Sequence, residues 1–269
     1  MDATEYGRIS LRYSGKPVGV EVLGVDLSQA VPTATFAAIE SLFNDNGMIF
    51  FRGQKLTPRE QLAFSSRFGR LERLERHVRQ EYALPGHPEI HLISNVKESE
   101  RSIGSAYAGD AWHTDLCFMR EPSRCSLLYA LEVPEKNGRP LGDTQFASTQ
   151  YAYDTLPAEL KSRIAGMRGV QQYHRRQEIK RAQRAADHAR QALTAAQKAG
   201  TPDVTQLMVR THSYSGRKCL YVNETYTFGI EGMPESGAQP LLKLLCEHVT
   251  RAEYVYSHQW QVGDLVIWR

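Results

Sequence analysis

Trp112-His113-Thr114-Asp115 is the stretch on which the reading of this chain turns. Read as a strand, the stretch has residues two apart pointing to the same face. His113 and Asp115 would then aim one imidazole nitrogen and one carboxylate oxygen at a common point. A mixed nitrogen and oxygen pair suits a borderline divalent metal, and a second histidine would complete a three-ligand face with open positions beyond it. Spacing alone does not establish such a site, because a neighbouring histidine and aspartate more commonly make ordinary hydrogen bonds. The surrounding sequence has to decide.

Strand-like runs lie on both sides of this stretch. Met48-Ile49-Phe50-Phe51 reads as a buried strand. Leu127 to Val133, Asp143 to Phe146, Met208 to His212, Lys218 to Asn223 and Leu265 to Trp268 follow, with Tyr214-Ser215-Gly216 as a hairpin turn between two of them. Helices are set between these runs. Thr33 to Asn46 places Phe36, Ile39 and Phe43 on one face and stops at Gly47. Thr57-Pro58-Arg59-Glu60 is a capping box with proline at the first helical position, opening a helix that stops at Gly69. Further helices are predicted near Pro157 to Ala165 and from about Pro240, the latter carrying Leu241, Leu244, Leu245 and Val249 at helical spacing. Strands and helices do not alternate regularly, which argues against a doubly wound parallel sheet. The expected class is mainly β with peripheral helices, in one domain over 1–269.

Composition narrows the function classes. The chain has 269 residues, 41% hydrophobic and 23% charged, with 33 Lys+Arg against 30 Asp+Glu. That length can bury a core without disulfide or metal staples. The opening MDATEYGRIS carries two acids and no apolar core, and no apolar run reaches the ~18 residues of a membrane span. The four cysteines show no CxxC spacing. A cytoplasmic protein without membrane or nucleic-acid partners is expected, and homo-oligomerisation stays open. The net charge of +3 is unevenly placed. Arg175 to Lys198 holds seven bases and two acids, leaving the remainder at −2. The segment is rich in alanine and lacks aromatics, so 174–200 reads as a solvated basic helical insert between strands.

The order of motifs resembles the taurine dioxygenase/TfdA family of Fe(II)- and 2-oxoglutarate-dependent dioxygenases over almost the whole length. The matching pieces are Gly19 to Ser28, Phe50-Phe51-Arg52-Gly53-Gln54, Phe64 to Gly69, Trp112 to Asp115 and Gly142-Asp143-Thr144. Val209-Arg210-Thr211-His212, Leu220 to Glu224 and Trp260 to Trp268 complete the series. The resemblance implies a double-stranded β-helix of jelly-roll type, with His113 and Asp115 as iron ligands and the Thr144 hydroxyl on the 2-oxoglutarate carboxylate. It implies an oxidoreductase that uses Fe(II), 2-oxoglutarate and dioxygen to hydroxylate a small organic anion, with release of succinate and CO2. Asn95, Tyr107 and Tyr226 are the candidate pocket residues.

Departures from the family pattern set further expectations. The family tryptophan matching Trp268 is followed by Asp-Asn-Arg, then a second iron-binding histidine and an arginine for the cosubstrate. Here Arg269 follows Trp268, so the sequence reads as a shortened member lacking its last strand or strands, the third metal ligand and that arginine. His212 and His258 lie on or beside strands but sit in family-like stretches where they are not ligands. The taurine enzymes have a histidine just after the Phe-Gly that is here Phe68-Gly69, and an asparagine ahead of the tryptophan. This chain has Leu71-Glu72 and Gly109-Asp110-Ala111 at those places, which argues against taurine as substrate. The alternative reading is a catalytically inactive family member acting as a binding protein. A zinc hydrolase built on His113 and Asp115 is disfavoured, because no motif places a third ligand or general base.

Overall fold

The structure is a computed structural model, and it describes residues 9–73, 82–99, 101–106, 108–183 and 192–269. It is mostly β with helices packed around the sheets. The largest sheet has five strands: β1 (Ser10–Tyr13), β2 (Val20–Leu23), β3 (Met48–Phe51), β4 (Ser126–Tyr129) and a strand near the C-terminus, Leu265–Trp268, in the order β1, β2, β3, Leu265–Trp268, β4. Leu265–Trp268 pairs antiparallel with both neighbours, Leu265 lying opposite Phe51 on one side and Tyr129 on the other. β2 and β3 are parallel, joined through helix α1 (Thr33–Asn46).

The period of two along a strand explains why these sequences are apolar at every position. Ile49 and Phe51 point with Leu265 and Ile267 into a core closed by Phe36, Ile39, Leu42 and Phe43 of α1. Met48, Phe50 and Val266 point the other way, into a second core with Phe146 and Trp260. Both faces are therefore dry. Phe64 and Phe68, from α2 (Pro58–Ser65) and the short 3-10 turn after it, stack edge-on against Phe36. Thr57 caps α2 as its sequence requires: its hydroxyl accepts from Glu60 N–H, and the Glu60 carboxylate accepts from Thr57 N–H.

The second core lies beneath an antiparallel pair, β5 (Thr144–Ala147) and Val255–His258. Helices α3 (Thr149–Asp154) and α4 (Ala158–Ile164) follow β5. A three-stranded sheet comes next, with β6 (Arg168–Gln171) between β7 (Val204–Leu207) and a later strand, Thr227–Ile230. Helices α5 (Tyr173–Ala182) and α6 (Ala195–Gly200) lie between β6 and β7. The expected hairpin is β8 (Val209–Thr211) with β9 (Lys218–Leu220), closed by His212 N–H to Arg217 O at 2.8 Å. Thr227–Ile230 is β10, and Val255–His258 and Leu265–Trp268 are β11 and β12.

Two expectations need correction. The last helix, α7, runs Glu235–Val249 and encloses Pro240 instead of starting there. Pro240 forfeits one helical hydrogen bond, but burial of Ala238, Leu241, Leu242, Leu245 and Val249 on one stripe outweighs that loss. Leu244, assigned to the same face from spacing, is exposed. The basic segment is not one solvated helix across 174–200. Its described parts are α5 and α6, and the α5 side chains Arg176 and Lys180 are only 12% and 11% exposed.

The turn into β12 carries the tightest backbone approach. Gly263 has φ +85°, and a Cβ there would lie 2.7 Å from Gln54 O. Gln54 N–H donates to Gly263 O at 2.8 Å, locking the turn to β3. Gly24 shares the left-handed conformation, with φ +76°, but has open space around it. Gly263→Ala is therefore expected to lower stability by about 1–3 kcal/mol in urea melts and Gly24→Ala by clearly less. Equal costs would remove the close approach as the cause.

Candidate active site

Trp112 to Thr114 do not form a strand, contrary to the sequence-based expectation; the segment is irregular and turns at Asp115. Its backbone is held from across the chain instead of by a ladder. Glu224 Oε1 accepts from Trp112 N–H at 3.3 Å, and Thr225 Oγ1 donates to Trp112 O at 2.7 Å. A turn follows, with Leu116 at φ +49° and Met119 N–H donating to Leu116 O.

The convergence expected from the motif survives this change. His113 Nε2 lies 3.2 Å from Asp115 Oδ1. His113 Nδ1 lies 2.8 Å from Ala111 O, and since a carbonyl only accepts, the proton sits on Nδ1. With Nδ1 protonated, Nε2 donates to the carboxylate when the ring is charged and offers its lone pair, as a metal-binding histidine does, when it is neutral. Asp115 Oδ2 accepts from Ser126 Oγ at 2.6 Å, and the nearby Trp268 side chain also helps lower its pKa. Strand β4, through Ser126, thus orients the acid. Burial would raise the Asp115 pKa, but the hydrogen bond and charge of His113, together with Ser126 and Trp268, pull it below 3.8. Burial would lower the His113 pKa, but the Asp115 carboxylate raises it above 6.5, while the Lys180 charge opposes the shift.

These two donors fit a divalent ion. Two adjacent ligands at right angles, each about 2.1 Å from a metal, lie about 3.0 Å apart, close to the observed 3.2 Å. Among the described residues no group of three His, Cys, Asp or Glu side chains comes together. His258 is committed elsewhere: wholly buried, its Nε2 lies 3.0 Å from Asp264 Oδ2, which also accepts from Arg52 and Gln261 N–H. His212 accepts from Ser215 N–H in the hairpin, and burial depresses its pKa to about 4.

The remaining candidates fare differently. Thr144 Oγ1 accepts from the Trp260 indole at 2.9 Å. It shares a face of β5 with Phe146, whose ring lies 5.5 Å from that of Trp268. Tyr226 lies in an aromatic group with Phe118 at 4.9 Å and Tyr173 at 6.4 Å, close enough to Asp115 to feel its charge. Asn95 is exposed in the segment between the strands His87–His91 and Lys97–Glu98, and Tyr107 lies outside the described residues. The sequence reading missed Ser126, Trp268, Glu224 and Thr225 as the groups that hold the pair. It also missed Phe118 and Tyr173. Only Trp268 and Glu224 carried a signal, as members of quoted motifs.

The raised His113 pKa has a consequence for the metal-free chain. The ion pair contributes fully below the ordinary imidazole value of 6.5, and the contribution fades as pH rises through the raised value. His113→Gln is expected to cost more stability below pH 6.5 than well above it, read from urea melts of metal-free protein. The same cost on both sides would refute the pair.

Comparison with known proteins follows the same lines. The family model described as "Taurine catabolism dioxygenase TauD, TfdA family" matches residues 10–269. The alpha-ketoglutarate-dependent 2,4-dichlorophenoxyacetate dioxygenase of Cupriavidus pinatubonensis is 34% identical over 93% of this chain and 84% of its own length. Pentalenolactone F synthase of Streptomyces arenae is 29% identical over 94% of this chain and 84% of its own. The crystal structure of AAD-2 in complex with Mn(II) and N-oxalylglycine superposes with a TM-score of 0.82 at 27% identity, covering 97% of this chain and 88% of that one.

Proposed function

Because the chain belongs to the taurine catabolism dioxygenase TauD, TfdA family, whose members use Fe(II), 2-oxoglutarate and dioxygen, we propose that it hydroxylates a small organic anion and releases succinate and CO2. The observation that carries this reading is the convergence of His113 Nε2 and Asp115 Oδ1. The iron and cosubstrate would supply the oxidising chemistry when bound; the protein supplies placement and exclusion of water. His113 and Asp115 are the residues that would hold the metal. The Ala111 carbonyl fixes the imidazole tautomer, and Ser126 keeps Asp115 aimed and, with Trp268, ionised.

Thr144 is the proposed cosubstrate contact, and Tyr226 the proposed pocket wall. Their support is the motif position of Thr144 and the packing of Tyr226 against Phe118, three residues after Asp115. We read the architecture as the double-stranded β-helix of this family, supported by the two dry faces of the five-stranded sheet. The similarity to named dioxygenases favours an enzyme over a binding protein. Among the described residues no helix is long and apolar enough to cross a membrane, and the four cysteines are unpaired, which suits a reducing compartment.

The direct test is metal affinity together with succinate release. Wild-type protein is expected to bind Mn(II) or Fe(II) and to release succinate from 2-oxoglutarate under air. His113→Ala should lose both, and Ser126→Ala should weaken metal binding by about 10- to 100-fold, as loss of a ligand-orienting hydrogen bond does. Unchanged Mn(II) affinity in His113→Ala would refute the assigned site.

A further inference from the structure

The segment that carries His113 and Asp115 is gripped at both ends by one turn. Trp112, immediately before His113, is held through Glu224 and Thr225: the first accepts from its N–H at 3.3 Å and the second donates to its carbonyl at 2.7 Å. Cys117, two residues after Asp115, accepts from Asn223 Nδ2 on its sulfur at 3.5 Å. Asn223, Glu224 and Thr225 are consecutive and lead into β10. The same asparagine braces the turn. Asn223 Oδ1 accepts from Tyr226 N–H at 2.9 Å, and Asn223 N–H donates to Thr227 Oγ1 at 3.1 Å.

Behind the turn these contacts close into a ring. The Cys117 thiol donates to Gln171 Oε1 at 3.5 Å, and the Thr227 hydroxyl donates to the same oxygen at 3.1 Å. Cys117 and Gln171 are wholly buried, and Asn223 and Thr227 nearly so. A β-bulge brings the members together: β6 and β10 pair Val170 with Gly229 and then Gln171 with Thr227, passing over Phe228. Such a bulge re-aims the side chains beside it. Gly169 clears the space, since a Cβ there would lie 2.9 Å from Thr227 Cγ2. Gln171 Nε2 finds no hydrogen-bond partner among the described residues. Four buried polar side chains with one donor unmatched are a poor source of stability, because an apolar cluster of the same shape would serve as well. What directional bonds add is one fixed arrangement.

On the reading that His113 and Asp115 hold the metal, we propose that turn 223–227 and Gln171 form a clamp that sets the separation of the two ligands, with Asn223 and Gln171 as positioning residues. Ser126 holds the Asp115 carboxylate from the five-stranded sheet, whereas the clamp holds the chain on both sides of the pair from the three-stranded sheet. Segment 112–117 has no strand ladder of its own, so it keeps its shape only while both attachments stand. Asn223 matters most, because one side chain both braces the turn and reaches Cys117.

Two measurements test the clamp together: Mn(II) affinity, read by electron paramagnetic resonance, and hydrogen exchange of the metal-free protein, read on peptides spanning 112–117. Asn223→Ala and Gln171→Leu should each weaken Mn(II) binding about 10-fold, the lower end of what loss of an orienting partner costs. Both should speed exchange in 112–117 more than in β1 to β3. Cys117→Ala should do the same, and Cys117→Ser, whose hydroxyl still donates and accepts, should recover most of the loss. Tyr254→Phe is the control. It removes a different buried hydrogen bond, between the Tyr254 and Thr155 hydroxyls at 2.8 Å. It should lower stability in urea while leaving Mn(II) affinity and exchange in 112–117 as in the wild type.

Unchanged Mn(II) affinity or unchanged exchange in Asn223→Ala overturns the proposal. So does an equal loss of affinity in Tyr254→Phe, which would trace to stability instead of placement. If Asn223→Ala does not fold, the two Cys117 variants decide, and equal affinity of Cys117→Ala and Cys117→Ser overturns the clamp. Absent Mn(II) binding by the wild type fails the metal reading alone, and the exchange data then decide the clamp.

Discussion

The hydrogen bond from Ser126 Oγ to Asp115 Oδ2, 2.6 Å long, ties an irregular loop to a rigid sheet. Asp115 would otherwise sit at the start of a turn with nothing to aim it. Ser126 stands at the first residue of β4, opposite Trp268 in β12, whose side chain also helps lower the Asp115 pKa. The position of the His113 and Asp115 pair therefore depends on the pairing of β4 with β12. That pairing in turn depends on the two cores that hold β12 between β3 and β4. Loops carry the chemistry and the sheet supplies the precision, the usual division of labour.

Buried charge supports this frame at a second point. Asp264 is wholly buried and accepts from Arg52, His258 and Gln261 N–H on one oxygen. An isolated carboxylate there would be costly, and removing any one partner leaves charge uncompensated. The network closes the turn after β11 and fixes the start of β12, through the same turn that needs glycine at position 263. The structural histidine and the histidine proposed for the metal are thereby separated by their partners. His258 answers to a buried aspartate with other donors on it, whereas His113 faces an aspartate that retains an oxygen for a metal.

Much of the fold could be read directly. Met48–Phe51 and Leu265–Trp268 are continuous apolar runs because both of their faces are buried, and their bounds match the reading to the residue. α1 and the capping box of α2 were legible because helix starts and stops are written locally. The start of α7 was not, since a proline normally opens a helix and here tertiary burial outweighs that preference. The closeness of His113 and Asp115 was legible by type and spacing, but their backbone was not, because the residues that hold Trp112 lie more than a hundred positions away. For the same reason α5 looked like a solvated basic run. Nothing in composition shows that Arg176 and Lys180 meet an aspartate 66 and 70 positions earlier.

The account stands on one location for the metal. A crystal structure of this protein grown with Mn(II) and N-oxalylglycine would test it most directly, through the anomalous signal of the ion. The expected result is a manganese peak bonded to both His113 Nε2 and Asp115 Oδ1, with Ser126 Oγ still on Asp115 Oδ2. A peak bonded to neither residue, with the His113 and Asp115 ion pair left intact, would contradict it.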